Sequence, residues 1–168
     1  MKKENPNYLK DYKLKPTIIP PDFTLIVDTR EQAPLFTRIP KGLTIISDTL
    51  ENGDYGIKGF PLFAIERKGI GDLFPYCSSE RDKTVKKMLR FKQMIKAGGW
   101  VGLVIENKES DVYQHQAFSR VHPEVIRGAV ISFAVRYGVH VYFANNRDIA
   151  ARYILDHAVR FFNVSREA

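Results

Sequence analysis

Short apolar runs alternate with longer amphipathic ones along this chain. The runs Thr24–Asp28, Leu43–Ile46, Leu62–Glu66, Trp100–Glu106 and Val139–Phe143 are rich in branched and aromatic residues, which predicts strands that are largely buried. Apolar positions recur at helical spacing over Arg81–Lys96, Pro123–Arg136 and Arg147–Phe162, which predicts three helices. Pro123 suits a first helical turn and Gly138 a helix end. An early antiparallel meander followed by helix and strand crossovers predicts an α/β domain with a mixed central sheet flanked by helices on both faces. No internal repeat or low-complexity segment interrupts the pattern.

The first 22 residues do not share it. Pro6, Pro16, Pro20 and Pro21 interleaved with lysines make a poor core segment, so residues 1–22 are expected to form a flexible basic arm and residues 23–168 the folded domain. The last helix carries Ile149, Tyr153, Ile154, Phe161 and Phe162. Most of these are expected to cover the sheet, and any aromatic remainder left exposed would mark an interface.

Charge concentrates where an apolar run ends. The segment Gly53–Asp72 reads GDYGIKGFPLFAIERKGIGD, and Glu66, Arg67 and Lys68 close the strand LFAIE. Charged groups at the end of a buried strand need partners or a cleft. Side chains alternate along a strand, so Glu66 and Lys68 should share one face and Arg67 should take the other. If the turn between Gly56 and Pro61 folds Asp54 back beside Glu66, two carboxylates and one ammonium share a pocket. Two carboxylates suit Mg²⁺, a hard cation that retains several waters. Lys68 would position or help to deprotonate an attacking water and offset developing charge at phosphorus. A surface ion-pair cluster is the competing account of the same triplet.

These residues resemble the XPF/Hef-type structure-specific endonucleases. The family signature, GD, a spacer, ERK, three residues and D, stands here as Gly53-Asp54, Glu66-Arg67-Lys68 and Asp72. A second family element at the end of the first core strand appears as Asp28, Arg30 and Glu31 in LIVDTREQAP. The resemblance spans residues 23–163 and implies a restriction-endonuclease-like core of the PD-(D/E)XK type. It implies Asp54 and Glu66 as metal ligands for Mg²⁺ or Mn²⁺, Asp28 as a further ligand or water-mediated contact to the metal, and Lys68 as the catalytic lysine, with Arg30, Glu31 and Arg67 as further active-site residues. Arg81 would match a basic residue that follows the ERK segment in relatives. Asp72 is expected to be structural, capping the short helix DLFPY or bracing Lys68.

Composition narrows the partners. The chain has 168 residues, one domain in size, with 44% hydrophobic content, a net charge of +7 and a pI near 9.5, which favours a polyanion. The arm holds five lysines against three acids, so most of the excess belongs to the domain. Lys83, Lys86, Lys87, Arg90, Lys92 and Lys96 lie on the helix after ERK. With Arg81, the residues Lys83, Lys86, Lys87 and Arg90 form the expected DNA-binding face, opposite an apolar stripe of Val85, Met88, Leu89 and Ile95. Cys77, the single cysteine, excludes an internal disulfide and is read as a packing residue. His115, His122, His140 and His157 are scattered, and no Cys/His cluster points to zinc. No apolar run is long enough to span a bilayer and no hydrophobic signal opens the chain, so an intracellular location is expected: cytoplasm or nucleoid, or nucleus in a eukaryote.

The expected function is therefore a metal-dependent DNA endonuclease acting on branched DNA such as a flap or fork. Many relatives add a helix-hairpin-helix module, for which these residues leave no room. A homodimer or a protein partner is accordingly expected to supply part of the DNA grip. A non-catalytic DNA-binding scaffold subunit, or a restriction-like nuclease with another nucleic-acid target, are the rival readings.

Overall fold

The computed structural model describes residues 15–167. A single six-stranded sheet forms the centre, in the order β2-β1-β3-β4-β5-β6. The strands are β1 (Thr24–Asp28), β2 (Thr44–Asp48), β3 (Tyr55–Ile57), β4 (Phe60–Lys68), β5 (Trp100–Ile105) and β6 (His140–Phe143). The helices are α1 (Ile70–Cys77), α2 (Arg81–Lys96), α3 (Glu109–Val112), α4 (Pro123–Tyr137) and α5 (Arg147–Glu167). Pairing of β3 is antiparallel with both β1 and β4, whereas β1–β2, β4–β5 and β5–β6 are parallel.

That pattern corrects the antiparallel meander. The second strand in sequence does not turn back beside β1; it returns parallel to it at the sheet edge, and β3 occupies the inner position. Strand β3, only three residues long, and the four-residue α3 were not anticipated, because elements this short carry too few periods to show. The hairpin turn lies at residues 58–59, where Gly59 has φ +82°, a conformation glycine adopts without strain.

Alternation along β4 divides the core. Phe63 and Ile65 pack with Leu25, Val27, Tyr55 and Val104 beneath α5, through Ile149, Ile154, Leu155, Ala158 and Phe162. Ala64 points the other way and packs with Val101, Leu103 and Ile105 beneath α1, α2 and α4. The sheet is thus covered on both faces, as a largely parallel sheet requires. The α2 stripe runs through Thr84, Met88, Phe91 and Met94, while Leu89 is exposed, so the expected apolar stripe is rotated. On α5, Tyr153 and Phe161 are only partly buried, and the large apolar side chains open to solvent on the helices include Val164 of α5 and Val125, Ile131 and Val135 of α4.

Helix ends follow local chemistry. His122 Nδ1 accepts from Glu124 N at the start of α4, Pro123 occupies the first turn, and Gly138 closes the helix in the left-handed conformation. Asp72 does not cap α1. Gly69 holds the N-cap position, and the Ile70 amide donates to Asn107 Oδ1 from the segment after β5.

Residues 1–14 of the expected arm lie outside the described residues. Residues 15–22 pack on the domain: Thr17 Oγ1 donates to Asp156, Arg152 donates to the Lys15 carbonyl, and Ile19 lies against the α5 core. No helix among the described residues is long and apolar enough to cross a membrane.

Candidate active site

The alternation that divides the core also sorts the charges at the end of β4. Arg67 follows Phe63 and Ile65 toward the α5 side, whereas Glu66 and Lys68 follow Ala64 toward α1 and α2. Glu66 is 0% exposed, and Lys68 Nζ donates to its Oε1 at 2.6 Å. Asp54 joins them because its amide donates to the Ile65 carbonyl and its carbonyl accepts from Asp28 N. Its Oδ2 accepts from Arg67 N at 2.7 Å. The preceding Gly53 has φ +79°, and a Cβ added there would come within 3.0 Å of the Ile65 carbonyl oxygen and 3.1 Å of Ala64 Cβ. A side chain there would be strained by the left-handed backbone and crowd the strand, so glycine suits the turn that brings Asp54 toward Glu66.

The electrostatics follow from this closeness. Burial, then the charge of Glu66, pushes the Asp54 carboxyl up to about 6. Burial also raises Glu66, but the ammonium groups of Lys68 and Lys87 outweigh it and hold this carboxyl below its ordinary value. Burial lowers Lys68, and the charges of Glu66 and Asp54 reverse that, so Lys68 is held as an ammonium. Beneath both lysines lies the Tyr76 ring, whose centroid is 4.8 Å from Lys68 Nζ and 5.9 Å from Lys87 Nζ. Burial raises the Tyr76 hydroxyl well above its usual value, leaving it neutral.

Around this centre lies a second layer of ion pairs. Arg67 donates to Glu31 from Nε (2.8 Å) and Nη2 (2.6 Å) and to Glu106 from Nη1 (2.8 Å). Arg147 donates to Glu106 as well. Asp28 is 3% exposed and accepts four hydrogen bonds: from Arg30 N, Nε and Nη2 and from Leu50 N. The Arg30 guanidinium, first among these causes, holds the Asp28 carboxyl down at about 2.

A divalent cation fits this site in part. Glu66 Oε2 is buried and has no hydrogen-bond partner, and Asp54 beside it carries an unfavourable charge that a cation would relieve. Asp28 does not converge with them. All its acceptor positions are filled, and no group of three His, Cys, Asp or Glu side chains suited to a metal ion occurs among the described residues. Here the Asp28 carboxylate is engaged by Arg30 and Leu50, whereas the neighbouring Glu66 keeps one carboxylate oxygen without a partner.

The basic helix lies beside the pair. Arg81, Lys83, Lys86 and Arg90 are exposed, and Arg90 Nε contacts Asn52 Oδ1 at 3.3 Å. Lys87, expected on the outer face, instead reaches Glu66 Oε1 at 2.7 Å. Asp72 is exposed in the first turn of α1 and acts on Lys68 through its charge. Cys77 is buried, and burial pushes its thiol up to about 12, as befits a packing residue.

Glu106 and Arg147 were not singled out from sequence, although Glu106 ends an apolar strand as Glu66 does. A concavity of about 570 Å³ between residues 16–17, 35–41 and α5 is lined by none of the acidic pair or its lysines.

Residues 27–156 match the ERCC4 domain. The chain belongs to the ERCC4 domain family. This ERCC4 domain has the restriction-endonuclease-like fold of the XPF nuclease domain. Its solved relatives include XPF from Aeropyrum pernix, 20% identical with a TM-score of 0.61, the match covering 85% of this chain and 68% of that one. Another is XPF from Aeropyrum pernix in complex with DNA, 17% identical with a TM-score of 0.59, covering 84% and 66%. The chain thus spans about two thirds of those two. No curated protein matches. At these identities the likeness to solved structures carries the fold alone.

Proposed function

We propose that this ERCC4 domain is a divalent-cation-dependent DNA endonuclease that hydrolyses phosphodiester bonds in branched DNA, near a junction of single and double strands. The observation that carries the reading is the buried Asp54–Glu66 pair with an unpartnered carboxylate oxygen beside an ammonium, Lys68. Asp54 and Glu66 would hold Mg²⁺ or Mn²⁺. When bound, such a cation lowers the pKa of a water and draws charge from the phosphoryl oxygens.

The chain's own groups supply the rest. Lys68, held as an ammonium, orients the attacking water by donating a hydrogen bond and offsets charge that develops at phosphorus. Arg67 keeps β4 in place through Glu31 and Glu106, so Glu66 and Lys68 enter the cleft at a fixed angle. Arg81, Lys83, Lys86 and Arg90 face solvent on α2 and suit the phosphate backbone. The net charge of +7 favours the same partner. XPF from Aeropyrum pernix, which shares this fold, is known in complex with DNA, which supports DNA as the partner. A homodimer or a partner protein would add grip, and mass measurement with and without a forked duplex tests that.

The deciding experiment is cleavage of labelled flap, fork, duplex and single-stranded DNA with Mg²⁺, Mn²⁺ or EDTA, beside Asp54→Asn. Metal-dependent cutting at the branch, absent from a folded variant, is the expected result. Equal cutting by Asp54→Asn would sink the proposal, and no cutting by a folded wild type would favour a scaffold subunit.

A further inference from the structure

Lys87 sits where a lysine that only tracks a backbone has no need to be. Lys83, Lys87 and Arg90 fall on one face of α2, one and two turns apart. Lys83 and Arg90 are exposed, whereas Lys87 turns inward over Tyr76 and ends 2.7 Å from Glu66 Oε1. Lys68 ends 2.6 Å from that same oxygen. Two ammonium groups on one carboxylate oxygen repel each other strongly away from bulk water. Their gathering is sustained because Asp54 and Glu66 bring two negative charges to the same place.

The two lysines are not equivalent. Lys68 is 17% exposed, also donates to the Arg67 carbonyl and belongs to a strand paired on both sides. Lys87 is 30% exposed and approaches from a helix whose neighbouring turns present exposed cations, Lys83 and Arg90. A divalent cation that neutralised the acids would weaken the pull on both ammonium groups. Lys87 is the one with a path outward, along a basic stripe, toward a polyanion.

We infer that Lys87 is a second lysine of the active site, which competes with the divalent cation at Glu66 and turns to the substrate phosphate once that cation is bound. This rests on the nuclease reading above and deepens it. The lysine is then both a brake on metal binding and a contact to substrate, so its removal moves two measurements in opposite directions.

Lys87→Met keeps the aliphatic stem and removes the charge. Calorimetric titration with Mn²⁺ should show binding about tenfold tighter than wild type. Cleavage at saturating Mn²⁺ should fall about tenfold or more. Lys87→Arg should return metal affinity toward wild type and recover part of the rate. Lys58→Met, the same charge change on the exposed hairpin turn, should leave metal affinity as it was. Lys87→Gln replaces the Met variant if that one does not fold, with the same expected signs. Unchanged or weaker Mn²⁺ binding in the neutral variant, with a wild type that binds Mn²⁺ and cuts DNA, overturns this inference and leaves the nuclease reading intact. A wild type that neither binds Mn²⁺ nor cuts overturns both.

Discussion

Arg67 and Glu31, 36 positions apart, form a two-pronged ion pair at 2.8 and 2.6 Å with side chains 11% and 5% exposed. The pair ties the chain just after β1 to the end of β4, beside Glu66 and Lys68.

Removing one member should cost more than a surface ion pair would. Arg67→Met leaves Glu31 and Glu106 buried without their shared cation, and loss of one partner from a buried pair costs about 3 kcal/mol or more. Urea denaturation should show that loss. A change below about 1 kcal/mol would mean the pair is solvated like an exposed one.

Asp28 should make stability depend on acid. Its carboxyl is held at about 2, first by Arg30, below its value near 3.9 in an unfolded chain. The contribution is full above the unfolded value and lost as pH falls through about 2. Arg30 is 67% exposed, so screening reduces the contribution to the order of 1 kcal/mol. Unfolding free energies measured from pH 5 to pH 2 should therefore fall more steeply for wild type than for Asp28→Asn. Parallel curves would contradict the assignment.

Gly99 should not tolerate a side chain. A Cβ at this position would meet the backbone carbonyls of Leu62 and Met94, neither of which can swing aside. Gly99→Ala is expected to cost about 1–3 kcal/mol, as overpacking does, seen as a lower melting temperature. Gly71→Ala, with nothing within 4 Å of the added carbon, should melt within a few degrees of wild type. An unaffected Gly99→Ala would show that β4 and α2 can move apart there.

Mn²⁺ should stabilise the fold through Glu66. At a hundred times its dissociation constant, a ligand bound only to the native state adds about 2.7 kcal/mol, and EDTA should reverse the shift. Glu66→Gln should lose most of it. Equal Mn²⁺ stabilisation in that variant would place the cation elsewhere.

Much of the site is legible in neighbouring residues. The spacing from Gly53-Asp54 to Glu66-Arg67-Lys68 points to two carboxylates and an ammonium in one place, and strand alternation alone assigns Glu66 and Lys68 to one face and Arg67 to the other. The structure bears this out, because a two-residue period is a property of the backbone itself. Helices α2, α4 and α5 were legible for the same reason, their periods repeating over several turns.

What needed the tertiary structure was every contact whose partner is set by packing. The parallel return of β2, the Asn107 acceptor at the start of α1, the Leu50 amide that donates to Asp28 and the reach of Lys87 to Glu66 all join residues distant in sequence. Local sequence determined which faces these elements possess. How α2 settles over β4, and so which of its lysines meets the acids, was decided by the burial of Thr84, Met88, Phe91 and Met94 against the sheet and its neighbouring helices, a long-range packing choice that no local period encodes.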